Sequence, residues 1–375
     1  MPIVLDGSQG ISTPMYAGSI SSNAVTPVIG MKNKIINGAC VIDQRNAGAS
    51  KTITDTADVT YTLDRWFGYG TAASKFSVQQ DAGAVTPPAG FTDYLGVTSL
   101  SAYSVSSSDS FSLGQSIEGF NIADLAWGTA NAKTVTLSFW VRSSLIGTFG
   151  GSIRNSAVNR SYPFTYTISA ANTWEQKSVT VAGDTSGTWL TTNGVGIRVG
   201  FGLGQGSTFS GTAGAWSGSN FNNATGATSV VGTNGATFYI TGVQLEVGST
   251  ATSFDYRPYG TELALCQRYC QKFNDGSSYY PYAVGTWVSS TLANVMKPLL
   301  VTMRSTPSFT FTNSTNTNVN NGATQISATS ITSDILSNDI VMYNINVASG
   351  GSAGYGVRHY QNAANSSNLL LSAEL

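Results

Sequence analysis

From Thr134 to Arg142 the chain alternates without a slip. Val135, Leu137, Phe139 and Val141 fall on one side, and Thr136, Ser138, Trp140 and Arg142 on the other. Period two is the mark of a strand with one buried face, because a helix would scatter these residues around its axis. The same texture returns in SDSFSLGQSIEG, RSYPFTYTIS, TWEQKSVTVAG, VGIRVGFGLG and ATFYITGVQLEV, each bounded by Gly-, Asn- or Ser-rich connectors. Strands spaced so regularly, with turn residues between them, predict an antiparallel β-sandwich. Earlier in the chain KIINGACVIDQRN alternates around Ile36, Cys40 and Ile42. TYTLDRWFGYGT sets Tyr61, Leu63 and Arg65 against Thr62, Asp64 and Trp66.

One stretch breaks the pattern. After Gly260, Leu263, Cys266, Cys270 and Phe273 recur at helical spacing, with Gln267, Arg268, Gln271 and Lys272 opposite. Thr261 is the expected N-cap, while Glu262 and Lys272 suit the two ends of the helix dipole. A connector helix within residues 259–276 therefore divides a sandwich over 33–258 from a smaller β-sandwich over 277–375. Residues 1–32 are short, Gly/Ser-punctuated and aperiodic, and read as an extended arm or a frayed terminus. The Gly-rich stretch between Gly204 and Gly235 is too long for a hairpin and predicts an excursion at one edge of the sandwich.

Charge excludes several functions. The 18 basic and 19 acidic residues nearly cancel, leaving −1. Nucleic-acid binding and a polybasic membrane patch both need a basic excess. No window reaches about 18 uninterrupted apolar residues, so membrane insertion is not expected, and residues 1–30 lack a signal-peptide pattern. Charged residues make up only 10% of the chain, so hydroxyls and amides must build much of the surface, as in viral fibres and secreted β-proteins. With a single histidine, His359, and no second CxxC-type pair, Cys266 and Cys270 read as buried thiols rather than metal ligands. There is no GxSxG elbow and no phosphate-binding loop, and none of the carboxylates (Asp43, Asp64, Glu118, Asp124, Glu175, Asp184, Glu246, Asp255) lies in a catalytic motif. The chain is not expected to be an enzyme.

KTVTLSFWVRSS, TWEQKSVTVAGDTSGTW and ATFYITGVQLEVGSTATSFDYRP resemble, in order, the landmarks of the carbohydrate-binding jelly roll found in bacteriophage and prophage tail-fibre proteins. YGTELALCQRYCQKF followed by KPLLVTMRSTPSFTFTN resembles the connector and distal domain of the same proteins, and with NKIINGACVIDQRN the similarity covers roughly residues 33–315. The resemblance implies an all-β structural virion protein, a tail or head fibre. Such a fibre would assemble as a homotrimer in the host cytoplasm, attach to other virion proteins through its N-terminal arm, and adsorb to a host cell-surface glycan. The alternative is a polysaccharide-binding module, or a carbohydrate-active protein associated with a depolymerase. Related domains sometimes hold a structural calcium in the closing segment, which here would fall to Glu246 and Asp255.

Sugar rings present apolar C–H faces that stack on aromatic side chains. Trp140 and Arg142, on the polar face of the clearest strand, are therefore candidates for glycan contact, with packing under a loop or a neighbouring subunit as the other reading of Trp140. Trp216, flanked by Gly and Ser in the long excursion, is a further candidate for ligand or partner contact. His359, in the Tyr-rich GYGVRHYQN, is either a plain surface or core residue or part of a glycan pocket.

Overall fold

The alternating residues of the clearest strand are divided as expected: Val135, Leu137, Phe139 and Val141 are wholly buried, and Trp140 and Arg142 are half-buried on the opposite face. The computed structural model describes residues 5–6, 10–11, 31–274, 276–320, 324–363 and 367–375. The chain divides into two units, Met1–Lys32 and Asn33–Leu375. In the first, β1 (Leu5–Asp6) pairs antiparallel with β2 (Gly10–Ile11). The rest of the arm expected over residues 1–32 lies largely outside the described residues.

The second unit opens with β3 (Lys51–Thr52), β4 (Thr60–Tyr61), β5 (Trp66–Gly70), β6 (Phe76–Gln80), β7 (Leu95–Ser99) and β8 (Ser110–Glu118). Then come β9 (Val135–Ser143), β10 (Gly147–Arg154), β11 (Ser161–Ile168), β12 (Glu175–Val181) and β13 (Val195–Gln205). The short β14 (Ser210–Gly211) and β15 (Asn223–Ala224) precede β16 (Thr237–Val247). Two six-stranded sheets result, ordered β11-β10-β13-β8-β5-β4 and β12-β9-β16-β7-β6-β3. The chain passes back and forth between them, the jelly-roll habit of strand succession. Their inner faces share one core of Phe111, Leu113, Phe139, Phe149, Phe201 and Phe238, all fully buried. The stretch TYTLDRWFGYGT is a hairpin rather than one run, with Thr62–Arg65 turning between β4 and β5.

The connector departs from its expected length. Helix α1 spans Tyr259–Gln267 with Pro258, not Thr261, at its N-cap. Cys270 and Phe273 belong instead to β17 (Cys270–Phe273). Two effects override the helical spacing. The ladder to β25 (Asn368–Ser372) bonds the backbone there, and Gln271 is wholly buried with its side-chain amide bonded to Gln267, Leu300 and Val301.

The remaining strands are β18 (Pro281–Trp287), β19 (Leu292–Pro298), β20 (Ser308–Thr312), β21 (Thr317–Asn320), β22 (Gln325–Leu336), β23 (Ile340–Val347) and β24 (Gly356–Gln361). Where two open sheets were expected, β18-β19-β23-β22-β21-β24 closes into a barrel, flanked by the three-stranded sheet β17-β25-β20. Closure follows because β18 pairs with both β19 and β24, leaving no free edge. Trp287, Tyr343, Ile345 and Leu371 fill the barrel core.

Candidate functional site

The outer face of the β11-β10-β13-β8-β5-β4 sheet is built from small residues. Along β8, Ser110, Ser112, Gly114 and Ser116 alternate with the core residues Phe111, Leu113 and Ile117. Along β13, Arg198, Gly200 and Gly202 alternate with Val199, Phe201 and Leu203. Register aligns these residues into rows across the sheet: Ser161–Arg154–Arg198–Ser116, and beside it Pro163–Ser152–Gly200–Gly114–Phe67–Tyr61. At Gly200 a Cβ would meet nothing nearer than 3.9 Å, so the sheet is bare there. Gly150 and Gly202 are roofed by Asn223 from the excursion, and Gly114 by the Phe67 ring.

The result is a cleft of about 780 Å³. Tyr61, Phe67 and Tyr69 form one side and Phe209, Asn220 and Asn222 of the excursion another. Arg304, Ser308 and Glu374 close it from the distal part of the chain.

Its charges are unevenly compensated. Glu374 is held by Arg45 and Arg65, and Asp58, exposed on the rim, accepts the Val59 N–H. Arg154 donates through Nη1 to Asn220 Oδ1 at 2.8 Å, while its buried Nε has no partner. Burial, and then the Arg198 charge, push Arg154 down to about 10, with Tyr69 acting in the opposite sense. Arg304 is held by the carbonyls of Asn193, Ala373 and Glu374. Polar capacity is also left over: Ser152 Oγ, outward on β10, and Asn222 Oδ1 are buried without partners. Such a surface offers hydroxyls, amides and guanidinium groups on a small-residue floor beside aromatic rings.

The sequence candidates lie elsewhere, and the structure does not bring them together. Trp140 and Arg142 are on the outer face of the opposite sheet, Trp140 between Gln176 and Thr241. Arg142 donates to Asn172 O at 3.0 Å and lies 5.5 Å from the Tyr239 ring centroid. Trp216 packs edge-on against Trp127, Trp189 and Tyr162 at 5.2–5.4 Å, its indole N–H bonded to Ala182 O at 2.8 Å. His359 is wholly buried in the barrel wall behind a groove of about 480 Å³ that also involves Tyr279, Met296 and Arg358. Its Nδ1 bonds the Tyr343 hydroxyl at 2.8 Å, Nε2 is unpartnered, and burial pushes its pKa down to about 3.

Glu246 and Asp255, the calcium candidates, are both engaged by groups of the protein itself. Glu246 accepts from Gln244 Nε2 and from the N–H and hydroxyl of Thr252, and Asp255 accepts the Asn33 N–H. Among the described residues no three His, Cys, Asp or Glu side chains gather.

The cleft residues were missed because small outward residues read as a plain sheet. The available signal was their coincidence in two strands, SFSLGQS and RVGFGLG, that turn out to be neighbours.

No family model and no curated protein matches the chain. Among solved structures it is similar to the enzymatically active domain of tailspike protein 4 of bacteriophage CBA120, with 13% identity, TM-score 0.31, and coverage of 58% of this chain and 22% of that one. The chain thus spans about a fifth of the length of that tailspike domain. A family 11 carbohydrate-binding module from Clostridium thermocellum, bound to a β-1,3-1,4-mixed-linked tetrasaccharide, aligns at 11% identity and TM-score 0.26, covering 55% of this chain and 98% of that one. TmCBM61 with β-1,4-galactotriose aligns at 11% identity and TM-score 0.26, covering 49% and 88%. None of these likenesses assigns a ligand to this chain.

Proposed function

We propose that this chain is a virion fibre protein of the bacteriophage tail type, whose sandwich holds a host-surface glycan in the cleft over Gly200. One observation carries the binding site: a bare stretch of sheet at Gly200, with Phe67 and Tyr69 to one side and Arg154 and Arg198 to the other. A pyranose is held by an apolar platform for its C–H face and polar donors for its hydroxyls; the half-buried Tyr69 ring offers the first and the two arginines the second. The fibre role rests on the order of the motifs from Asn33 to about residue 315. The low charge of the chain agrees with a protein that packs against copies of itself.

We read the cleft as binding rather than cleaving. Glycoside hydrolysis by the common route takes two carboxyl groups flanking one bond. Of the two carboxylate side chains at this cleft, Glu374 is engaged by two arginines and Asp58 sits on the rim. Avidity across a homotrimer would turn weak single-site binding into firm adsorption.

Gly200→Val tests the site, because the added methyls project from the outer face of the sheet, two residues along β13 from the cleft-lining Arg198, where the backbone leaves room. The purified variant is expected to melt like the wild type and to lose adsorption to host cells. Unchanged adsorption would move the site off this sheet. Light scattering is expected to give a particle near three times 39.1 kDa, and a monomer would remove the trimeric fibre.

A further inference from the structure

We propose that the cleft selects an acidic saccharide, its carboxylate, sulfate or phosphate group seated between the guanidinium groups of Arg154 and Arg198. The inference rests on reading this cleft as the glycan site and adds the class of sugar.

Arg154 and Arg198 are direct partners in the β10–β13 register, both on the outer face. Like charges placed opposite one another on a sheet are destabilising, and among the described residues no carboxylate lies within 4.0 Å of either arginine to offset that cost. Half of the chain's ten arginines are paired with acids. Arg45, Arg65, Arg160, Arg257 and Arg268 each meet a carboxylate within 4.0 Å. Among the described residues the arginines without one are Arg142, Arg154, Arg198, Arg304 and Arg358, and three of these five line the one cleft.

The acids nearby are already committed. Glu374 is bound to Arg45 and Arg65, and Glu118, at the end of β8, to Arg268 and Tyr269. Asp58 stays on the rim with Oδ1 on its own loop. An anionic ligand would neutralise the opposed pair and restore to Arg154 the charge stabilisation that burial and Arg198 remove. A neutral sugar would leave that repulsion in place.

The test uses the full chain on an array of neutral, uronate-bearing, sialylated and sulfated oligosaccharides, with wild type, Arg198→Gln, Arg198→Lys and Gly200→Val compared. Acidic glycans are expected to be retained. Their binding should fall with added salt and weaken roughly 10- to 100-fold in Arg198→Gln, as loss of a charge-assisted fork predicts. Arg198→Lys should restore only part, since it keeps the charge and loses the fork. Thermal melting of Arg198→Gln should not fall, because one of two opposed charges is gone, whereas a structural arginine would melt lower. Retention of neutral glycans that Gly200→Val abolishes and Arg198→Gln leaves intact would overturn the acidic class alone. Retention that survives Gly200→Val, or no retention at all, would overturn both the class and the site.

Discussion

Glu118 joins the floor of the cleft to the connector, and replacing it with Gln measures how firmly the two are held. Its carboxylate is almost wholly buried at the end of β8. It accepts Arg268 Nε at 2.9 Å, Arg268 Nη2 at 2.7 Å and the Tyr269 hydroxyl at 2.5 Å. Each charge-assisted bond contributes about 1.5–3 kcal/mol. The Arg268 side chain is 33% exposed and recovers water when released, so its share is discounted to about 1–1.5 kcal/mol. Tyr269 is wholly buried and recovers nothing. The expected loss for Glu118→Gln is about 3 kcal/mol, at the lower end for breaking a buried pair. In a unit of this size that is a fall of about 6 °C in melting temperature.

The pH dependence supplies a second, independent sign. Burial alone would raise Glu118, but the bonds from Arg268 and Tyr269 outweigh it and hold the carboxyl below its ordinary value of 4.5. A lowered carboxyl stabilises the fold above its unfolded value and loses that contribution as pH falls through the folded one. Calorimetry at pH near 7 should therefore show the full gap between wild type and Glu118→Gln, and scans at successively lower pH below 4.5 should show the gap closing. A variant melting within about 1 °C of wild type at neutral pH would refute the reasoning, as would a gap that ignores pH.

Three other outcomes are expected. His359 is pushed down to about 3 from 6.5, so it opposes folding as pH falls below 6.5, by about 1.4 kcal/mol per unit. Burial moves Asp64 the other way, up to about 7, so the wild-type profile partly cancels. The His359 effect is read as the difference in stability between wild type and His359→Gln from pH 7 to 4, and a difference that does not change with pH would refute it. Burial raises the thiols of Cys40, Cys266 and Cys270, so a thiol reagent should find none in the native protein and all three after denaturation. Trp216→Ala should cost about 2–3 kcal/mol by opening the cluster with Trp127, Trp189 and Tyr162, seen as a lower denaturant midpoint, and an unchanged midpoint would return Trp216 to the surface.

Strands were legible wherever one face was buried against the core, because burial writes period two directly into the chain, as at Val135–Val141. Legibility failed where pairing was non-local. Cys270 and Phe273 kept a helix-like spacing, yet their backbone finds its partners in Leu369–Ser372, about a hundred residues onward. The barrel was hidden for the same reason: its individual strands look like those of a sandwich, and only the β18–β24 pairing decides closure.

The candidate site was harder still, since aromatic side chains in loops attract attention that backbone does not. Trp216 stood among glycines and serines, which says that the loop is flexible in sequence but not what the indole packs against. The other tryptophans of its cluster come from sequence positions 27 and 89 residues earlier, and only the folded excursion brings them together. A cleft in a sheet is made by what is missing from the outer face. On VGIRVGFGLG the glycines at 200 and 202 cost strand stability, about 0.5–1 kcal/mol each relative to alanine. Gly202 recovers this by admitting Asn223, whose side chain occupies the space a Cβ would take. Gly200 admits nothing from the protein. The proposed glycan site rests on this strand-weakening residue, which its own fold leaves uncovered beside two opposed arginines.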